Sequence, residues 1–440
     1  MSAAQSQSTL ESKLEALQCH FTWDLDPSRS RLFRLRDNLQ DIGTEEGNSW
    51  LGHIYNLQGY IQYKLGFTED AQSFFSRAAE AFRQTRTAAS DEGPWLVVNY
   101  GNLAWLHHHL GERAECQAYL SKVDALMSEY PSPSQDELHA EIYAEKAWTL
   151  MKFSGDKQQL AADCFQRAIR MQPDMVEWNT SHLIGLARAV KHSETGLDAD
   201  VLENMRIATE QDPENLYLAG VYLKQRAENG ERVEDEAREL ARNILRNPVS
   251  SYSGMKAVLR VYRISLSIDE AIDLAEEALE NHPDARFLKR CAALCYKWKI
   301  VFDRSSRPNR RTIARAVSLH RELIALYPHS SLVKKLDLAN IYGKTNPAEA
   351  KPIYRDLLES DVEPADQQMI YHHYGNYLNF DCQDRHRSIQ YHMKAAAIPH
   401  QSYFRDKSIR VLERIRDRGR NRMCGDIDEF LANLQEPESL

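Results

Sequence analysis

The 440-residue sequence predicts an all-α protein, a solenoid of stacked helix pairs. Three observations predict it. One residue pattern recurs along the chain: an aromatic or apolar residue, a small residue, a turn, then Ala, a large apolar residue and Ala. Proline closes several of these windows, where it ends a helix for want of an N–H. Strand-like alternation flanking a hairpin turn is absent.

The elements follow in order. "IYNLQGYIQYKLGFTEDAQSFFSRAAEAF" (54–82) carries the pattern at Gly59, Gly66, Ala71, Phe75 and Ala78. "YGNLAWLHHHLGERAECQAYLSKV" (100–123) repeats it with Ala104 and Gly111, and "AEKAWTLMKFSGDKQQLAADCFQRAIRMQP" (144–173) with Ala147, Phe165, Ala168 and Pro173. Later windows end at Pro213, Pro283 and Pro328, and another spans 371–396. The pattern resembles the tetratricopeptide repeat, about 34 residues folded as two antiparallel helices, in which small residues let the helices approach. Such units stack into a superhelix with a concave groove. The expected division is an N-terminal helical segment (1–48), N-terminal repeats (49–250), central to C-terminal repeats (251–400) with a basic loop at 303–311, and a basic helix and tail (401–440).

In tetratricopeptide repeats, positions 2, 5, 9, 12 and 13 of each unit line the groove. Counting from the small residues and prolines puts Trp148 and Lys152 at 9 and 13, and Ile184 and Arg188 at the same places one unit on. Tyr217 takes position 2 and Lys224 position 9 of the next unit; Lys256, Arg260 and Arg263 take 5, 9 and 12; Arg290 and Lys297 take 5 and 12. Earlier units contribute Tyr60 with Lys64, and Trp105 with His109. The expected groove is therefore positively charged and aromatic, with acids mostly elsewhere and Lys152 as an exposed cation. Phosphates take Lys and Arg, and unstacked bases take flat apolar faces, so a single nucleic-acid strand fits. An acidic peptide fits the same description.

Composition bounds the rest. Apolar content of 42% and charged content of 27% describe a globular chain. No apolar run approaches the ~18 residues of a membrane span. The first residues lack a secretory pattern, which leads to an expected cytosolic location. The seven scattered cysteines fit reduced thiols. Net charge is −9, yet residues 286–315 hold ten Lys/Arg against the single acid Asp303. Local field rather than net charge decides what a groove attracts.

"LQCHFTWDL" (17–25), "AEKAWTLMKF" (144–153), "DPENLYL" (212–218), "ALCYKWKI" (293–300), "YHHYGNYLNF" (371–380) and "SYFRDKSI" (402–409) occur in that order. Together, from about residue 10 to 425, they resemble the interferon-induced proteins with tetratricopeptide repeats, the IFIT family. The resemblance implies a cytosolic antiviral RNA-binding protein, not an enzyme. It would hold the 5′ end of foreign single-stranded RNA, triphosphate or cap, and block its translation. Self-association or pairing with other family members is implied, and neither DNA nor membrane is expected. Position by position, the resemblance gives phosphate binding to Asn38, Lys152, Arg188, Lys256, Arg260, Arg263 and Arg290. It gives cap or base stacking to Trp148 against Ile184, and ribose sensing to Asn215 and Tyr217. Departures also count. Arg34 stands where an acid could help hold a metal, and Ile42 where a Gln would bond phosphate. Gln158 is nearest to a missing Tyr, and Arg290–Cys291 replace a His-Gln pair. No cofactor and no metal ligand are expected.

Other signals read as bland. His107, His108 and His109 run along one helix but share no i, i+4 face. Cys291 and Cys295 lack further ligands at zinc spacing and read as core thiols. Phosphate-loop, zinc-protease and nucleophile-elbow motifs are missing. "DRSSRPNRR" (303–311) breaks the helical pattern and reads as a basic loop, and "RVLERIRDRGRNR" (410–422) as a basic helix. A protein–protein adaptor without 5′-end specificity is the alternative reading.

Overall fold

The computed structural model describes residues 10–26, 28–42, 49–85, 92–134, 136–153, 157–189, 197–305 and 307–435. Among these, regular structure is helical throughout, with no strand. The chain forms two compact units, residues 1–266 and 267–440.

The first unit begins with a short helix, α1 (10–15), and α2 (Arg29–Gln40). Helix pairs follow: α3 (Leu51–Leu65) with α4 (Thr68–Thr85), α5 (Val97–His109) with α6 (Arg113–Glu129), and α7 (Ala140–Leu150) with α8 (Gln158–Met171). Then come α9 (Val176–Ala189), α10 (Ala199–Gln211), α11 (Leu216–Glu228), α12 (Glu234–Leu245) and α13 (Met255–Ser265). Each tight pair is joined by a short connection and packs along its length, so its helices run antiparallel. The small residues read from the sequence do what the pattern requires. A Cβ on Gly59 would lie 2.6 Å from the Phe75 ring, so the helix backbone of α3 rests directly on that ring. Ala71, Phe75 and Ala78 of α4 are fully buried, as are Ala147, Phe165 and Ala168 of α7 and α8. Gly66 closes α3 in the left-handed region at φ +92°, where a side chain would be strained. Pro173 and Pro213 stand two residues past the ends of α8 and α10.

The 17–25 segment lies across the first repeats. Cys19 and Trp23 are buried. His20 accepts from Asn102 Nδ2 at 3.0 Å and bonds Thr149 Oγ1 at 3.1 Å; burial lowers its pKa to about 3, so it stays neutral. Phe21 stacks on Trp105 at 5.9 Å and meets the Tyr60 ring edge-on at 5.3 Å. This corrects the expectation that Tyr60, Trp105 and His109 line an open groove. Their flat faces draw in the chain's own aromatic segment, and burying them is favourable.

The second unit holds α14 (Ile268–Asn281), α15 (Arg286–Lys297) running into a π-helical turn (Trp298–Phe302), and α16 (Arg310–Leu326). It continues with α17 (Leu332–Thr345), α18 (Pro347–Glu359), α19 (Pro364–Phe380), α20 (Arg385–Ala397), α21 (Tyr403–Arg418) and α22 (Cys424–Gln435). Helix breaks as expected after Phe302, and Asn309 caps α16 by accepting from the Thr312 N–H. Cys291 and Cys295 are buried. The basic helix at the C-terminal side is α21, stopped by left-handed Gly419 and packed on α20 and α22. No described helix is long and apolar enough to cross a membrane.

Candidate nucleic-acid interface

Six stretches of the first unit line a cavity of about 460 Å³. Trp148 comes from the last turn of α7. Lys152 follows in a tail turn, its N–H bonded to the Thr149 carbonyl at 2.9 Å. That turn keeps the two residues on one face, as their four-residue spacing implied. Ile184 and Arg188 stand one turn apart on α9, and Asn215 and Tyr217 begin α11. The sequence reading thus brings together Lys152, Arg188, Trp148, Ile184, Asn215 and Tyr217, all of which line this cavity. Ile42 lines it too.

Two further residues, Tyr252 and Trp50, were missed. Tyr252 sits in the loop between α12 and α13. Ser253 Oγ donates to the Ser250 carbonyl at 2.7 Å, and Ser251 N–H donates to the Asp41 carbonyl at 2.9 Å. Gly254 holds φ +82°, and a Cβ there would lie 2.4 Å from the Leu216 carbonyl oxygen, so only glycine lets the loop close on α11. The loop presents Tyr252 to Lys152, whose Nζ donates to the phenol oxygen at 2.8 Å. Tyr252 also stacks on Tyr217 at 5.1 Å and 21°. Arg188 in turn donates to the Tyr217 hydroxyl. Both cations are therefore held by neutral phenols, and among the described residues neither is paired with a carboxylate. Burial, and then the nearby Arg188, hold the Lys152 ammonium well below its ordinary pKa. Lys152 is half-buried, which corrects its reading as a freely exposed cation: Trp148 and Tyr252 flank its stem.

Trp148 also departs from expectation. Its exposure is 1%, with the Trp50 indole stacked on it at 5.6 Å and 13° and the Lys152 Nζ over its ring at 4.3 Å. An open stacking face on Trp148 is not present. Two aromatic surfaces gain more by covering each other than by facing water.

The remaining predicted residues divide. Arg260 lies on α13, which packs on α11; burial chiefly lowers its pKa, Glu228 opposes this, and Arg263, the Tyr217 phenol and Arg188 act more weakly. Lys256 and Arg263 are exposed on the same helix, outside the cavity lining. Asn38 is exposed on α2 and does not line the cavity, because Leu32, Leu35 and Leu39 turn the other face of that helix inward. Asn215 Oδ1 accepts from the Leu218 N–H at 3.0 Å and its Nδ2 donates to Asp212 at 3.1 Å, so it caps α11 while bordering the cavity. Arg290 belongs to the second unit, with its guanidinium 5.5 Å from the centre of the Tyr327 ring. Lys224 and Lys297 are paired with Glu228 and Asp337, each at 2.5 Å. Glu177, Asp212 and Glu214 also line the cavity, against the expectation that acids fall elsewhere. They cluster at the starts of α9 and α11, where the helix dipole favours negative charge.

No family model matches the sequence. Individual proteins do. The antiviral innate immune response effector IFIT1 of Macaca fascicularis is 27% identical over 433 residues, which cover 94% of this chain and 89% of that protein. Human interferon-induced protein with tetratricopeptide repeats 2 is 24% identical, covering 98% of this chain and 93% of that one. Among solved structures, the human IFIT1 dimer with m7Gppp-AAAA superposes with a TM-score of 0.71 at 25% identity, covering 97% of this chain and 96% of that chain. The human IFIT1 dimer with PPP-AAAA gives 0.68 at 26% identity over the same shares. By sequence and by fold alike, along nearly its whole length, the chain is similar to interferon-induced proteins with tetratricopeptide repeats.

Proposed function

We propose that this protein binds the 5′ end of foreign single-stranded RNA, sequesters it in the cytosol and so inhibits its translation. One observation carries the reading: Lys152 and Arg188 line one cavity, each held by a tyrosine hydroxyl and neither neutralised by a carboxylate among the described residues. A phosphate group entering there meets two cations already oriented, with no ion pair to break. The phosphates of a triphosphate or of a cap bridge suit them equally. Tyr217, with Asn215 beside it, stands where the first riboses would pass. Arg260, Lys256 and Arg263 continue the positive charge along α13 toward later phosphates; Arg290, in the second unit, is a phosphate ligand by the family resemblance alone. Trp148 acts as a buttress that fixes Lys152. The similar human IFIT1 structures hold m7Gppp-AAAA or PPP-AAAA and are described as dimers, which supports RNA as the ligand and self-association as a property to test.

The test is a titration with three RNAs of one sequence, ending in triphosphate, cap or hydroxyl. Tighter binding of the phosphate-bearing ends supports the reading. Equal affinity for all three overturns it and favours a protein adaptor or a general RNA binder.

A further inference from the structure

This inference rests on the 5′-end reading and asks which end the cavity admits. A cap base needs an aromatic face on which to stack. The cavity contains two indoles, and they are stacked on each other. Trp50 precedes α3 and is 7% exposed; Trp148 closes α7 and is 1% exposed. Their rings are 5.6 Å apart and nearly parallel at 13°. The Trp50 position is secured by His53, which meets it edge-on at 4.6 Å, and by Phe165 at 6.5 Å and 86°. The Trp148 ring also carries the Lys152 ammonium at 4.3 Å. A 7-methylguanine is flat and positively charged. To stack on Trp148 it must displace either an indole or a cation of its own sign.

The geometry points to Trp50 as a specificity-determining residue: it fills the base-stacking place on Trp148 with the protein's own ring and turns the cavity toward uncapped 5′-triphosphate ends. The phosphate ligands are untouched by this arrangement. Lys152 and Arg188 remain directed by Tyr252 and Tyr217. Triphosphate recognition therefore keeps its electrostatics, while cap recognition loses the stacking that would distinguish it. Replacing Trp50 by a small residue opens a ring-sized space against Trp148, which a base can fill.

The experiment compares m7Gppp-capped and triphosphate RNAs of the same sequence on wild type and on Trp50→Ala. The readout is the ratio of the two dissociation constants, which cancels any general weakening of the site. Wild type should bind triphosphate RNA at least about tenfold more tightly than capped RNA. Trp50→Ala should move the ratio toward the cap by about 5- to 150-fold, the range of base–aromatic stacking. Trp50→Leu keeps apolar volume against His53 and Phe165, and it carries the test if the alanine variant unfolds; it should shift the ratio the same way. Equal wild-type affinity for the two ends, or an unchanged ratio in a folded variant, overturns the role given to Trp50. Failure of the 5′-end reading itself looks different: hydroxyl-ended RNA then binds wild type as tightly as both other ends.

Discussion

Lys152→Met removes the ammonium and keeps most of the stem. Two opposite effects follow from the geometry. Towards RNA, the variant gives up a charge-assisted hydrogen bond to phosphate worth about 1.5–3 kcal/mol, or about 10- to 150-fold in affinity. Towards folding, it loses the 2.8 Å bond to Tyr252 and the cation over Trp148, which contribute about 1 kcal/mol each. It also removes a desolvated charge held beside Arg188, and that relief acts in the other direction. The net change in stability should stay within about 1 kcal/mol, since the lost contacts and the relieved desolvation oppose each other. Fluorescence anisotropy with triphosphate RNA at two salt concentrations, beside a thermal melt, measures both effects. Affinity should drop, and the salt slope should shrink by about 0.7, the share of one neutralised phosphate on a single strand. A folded variant with unchanged affinity refutes the assignment. So does an equal drop for hydroxyl-ended RNA, which would make Lys152 a general backbone ligand.

Three further outcomes are expected. Because burial and Arg188 lower the Lys152 pKa while bound phosphate favours the ammonium, triphosphate-RNA affinity at constant ionic strength should fall as pH rises through the window below 10.5, and Lys152→Arg should flatten that fall. Without RNA, the unfolded chain holds the extra proton in that window, so this group's contribution to stability rises with pH there; a stability curve that wild type and Lys152→Met share would refute it. Glu145 is 1% exposed and its carboxyl is raised by burial to about 8. Its contribution is fully present below the unfolded value of 4.5 and is lost as pH rises through about 8, a swing on the order of a few kcal/mol; Glu145→Gln should keep the Asn56 bond and abolish that part of the pH dependence in urea unfolding.

Much of the helical order was legible because it depends on local chemistry. Small residues opposite large ones, as at Gly59 and Phe75, and prolines past the second helices fix where each helix begins, packs and stops. Counting from Pro173 and Pro213 was enough to put Arg188 and Tyr217 in one cavity. Residues supplied by irregular segments could not be read this way. Lys152 and Tyr252 are separated by 100 residues, and "NPVSSYSGM" (247–255) has no periodicity that would aim a side chain. Trp50 lies outside the repeat pattern, so nothing local tells which ring it covers. Asn38 shows the converse error. An ungapped count assigned it to phosphate, although Leu32, Leu35, Leu39 and Ile42 form a buried stripe that already placed Asn38 outward.

The tyrosines orient two cations in a chain of net charge −9 without setting a carboxylate on either among the described residues. Elsewhere some cations meet acids, as Lys224 does Glu228, Arg226 does Glu231 and Glu236, and Lys297 does Asp337, while others, such as Arg77 with Tyr55 and Arg167 with Tyr143, also meet phenols. A carboxylate orients a cation but also cancels its field, and a phosphate must then compete for it. A phenol hydroxyl orients the same cation and leaves its unit charge in place. Burial strengthens this effect, because the field of an uncompensated charge is less screened in a partly dry cavity. Its cost is visible in the lowered Lys152 pKa, to which burial contributes most and the like charge of Arg188 next. An incoming phosphate offsets the Arg188 part of that cost by adding an opposite charge beside both cations. A Tyr252→Glu substitution would supply the missing anion in advance. It should raise the Lys152 pKa and stabilise the free protein, while weakening triphosphate RNA far more than Tyr252→Phe does. Comparable losses in the two variants would show that an anion beside Lys152 costs no more than losing the hydroxyl, and would refute this account.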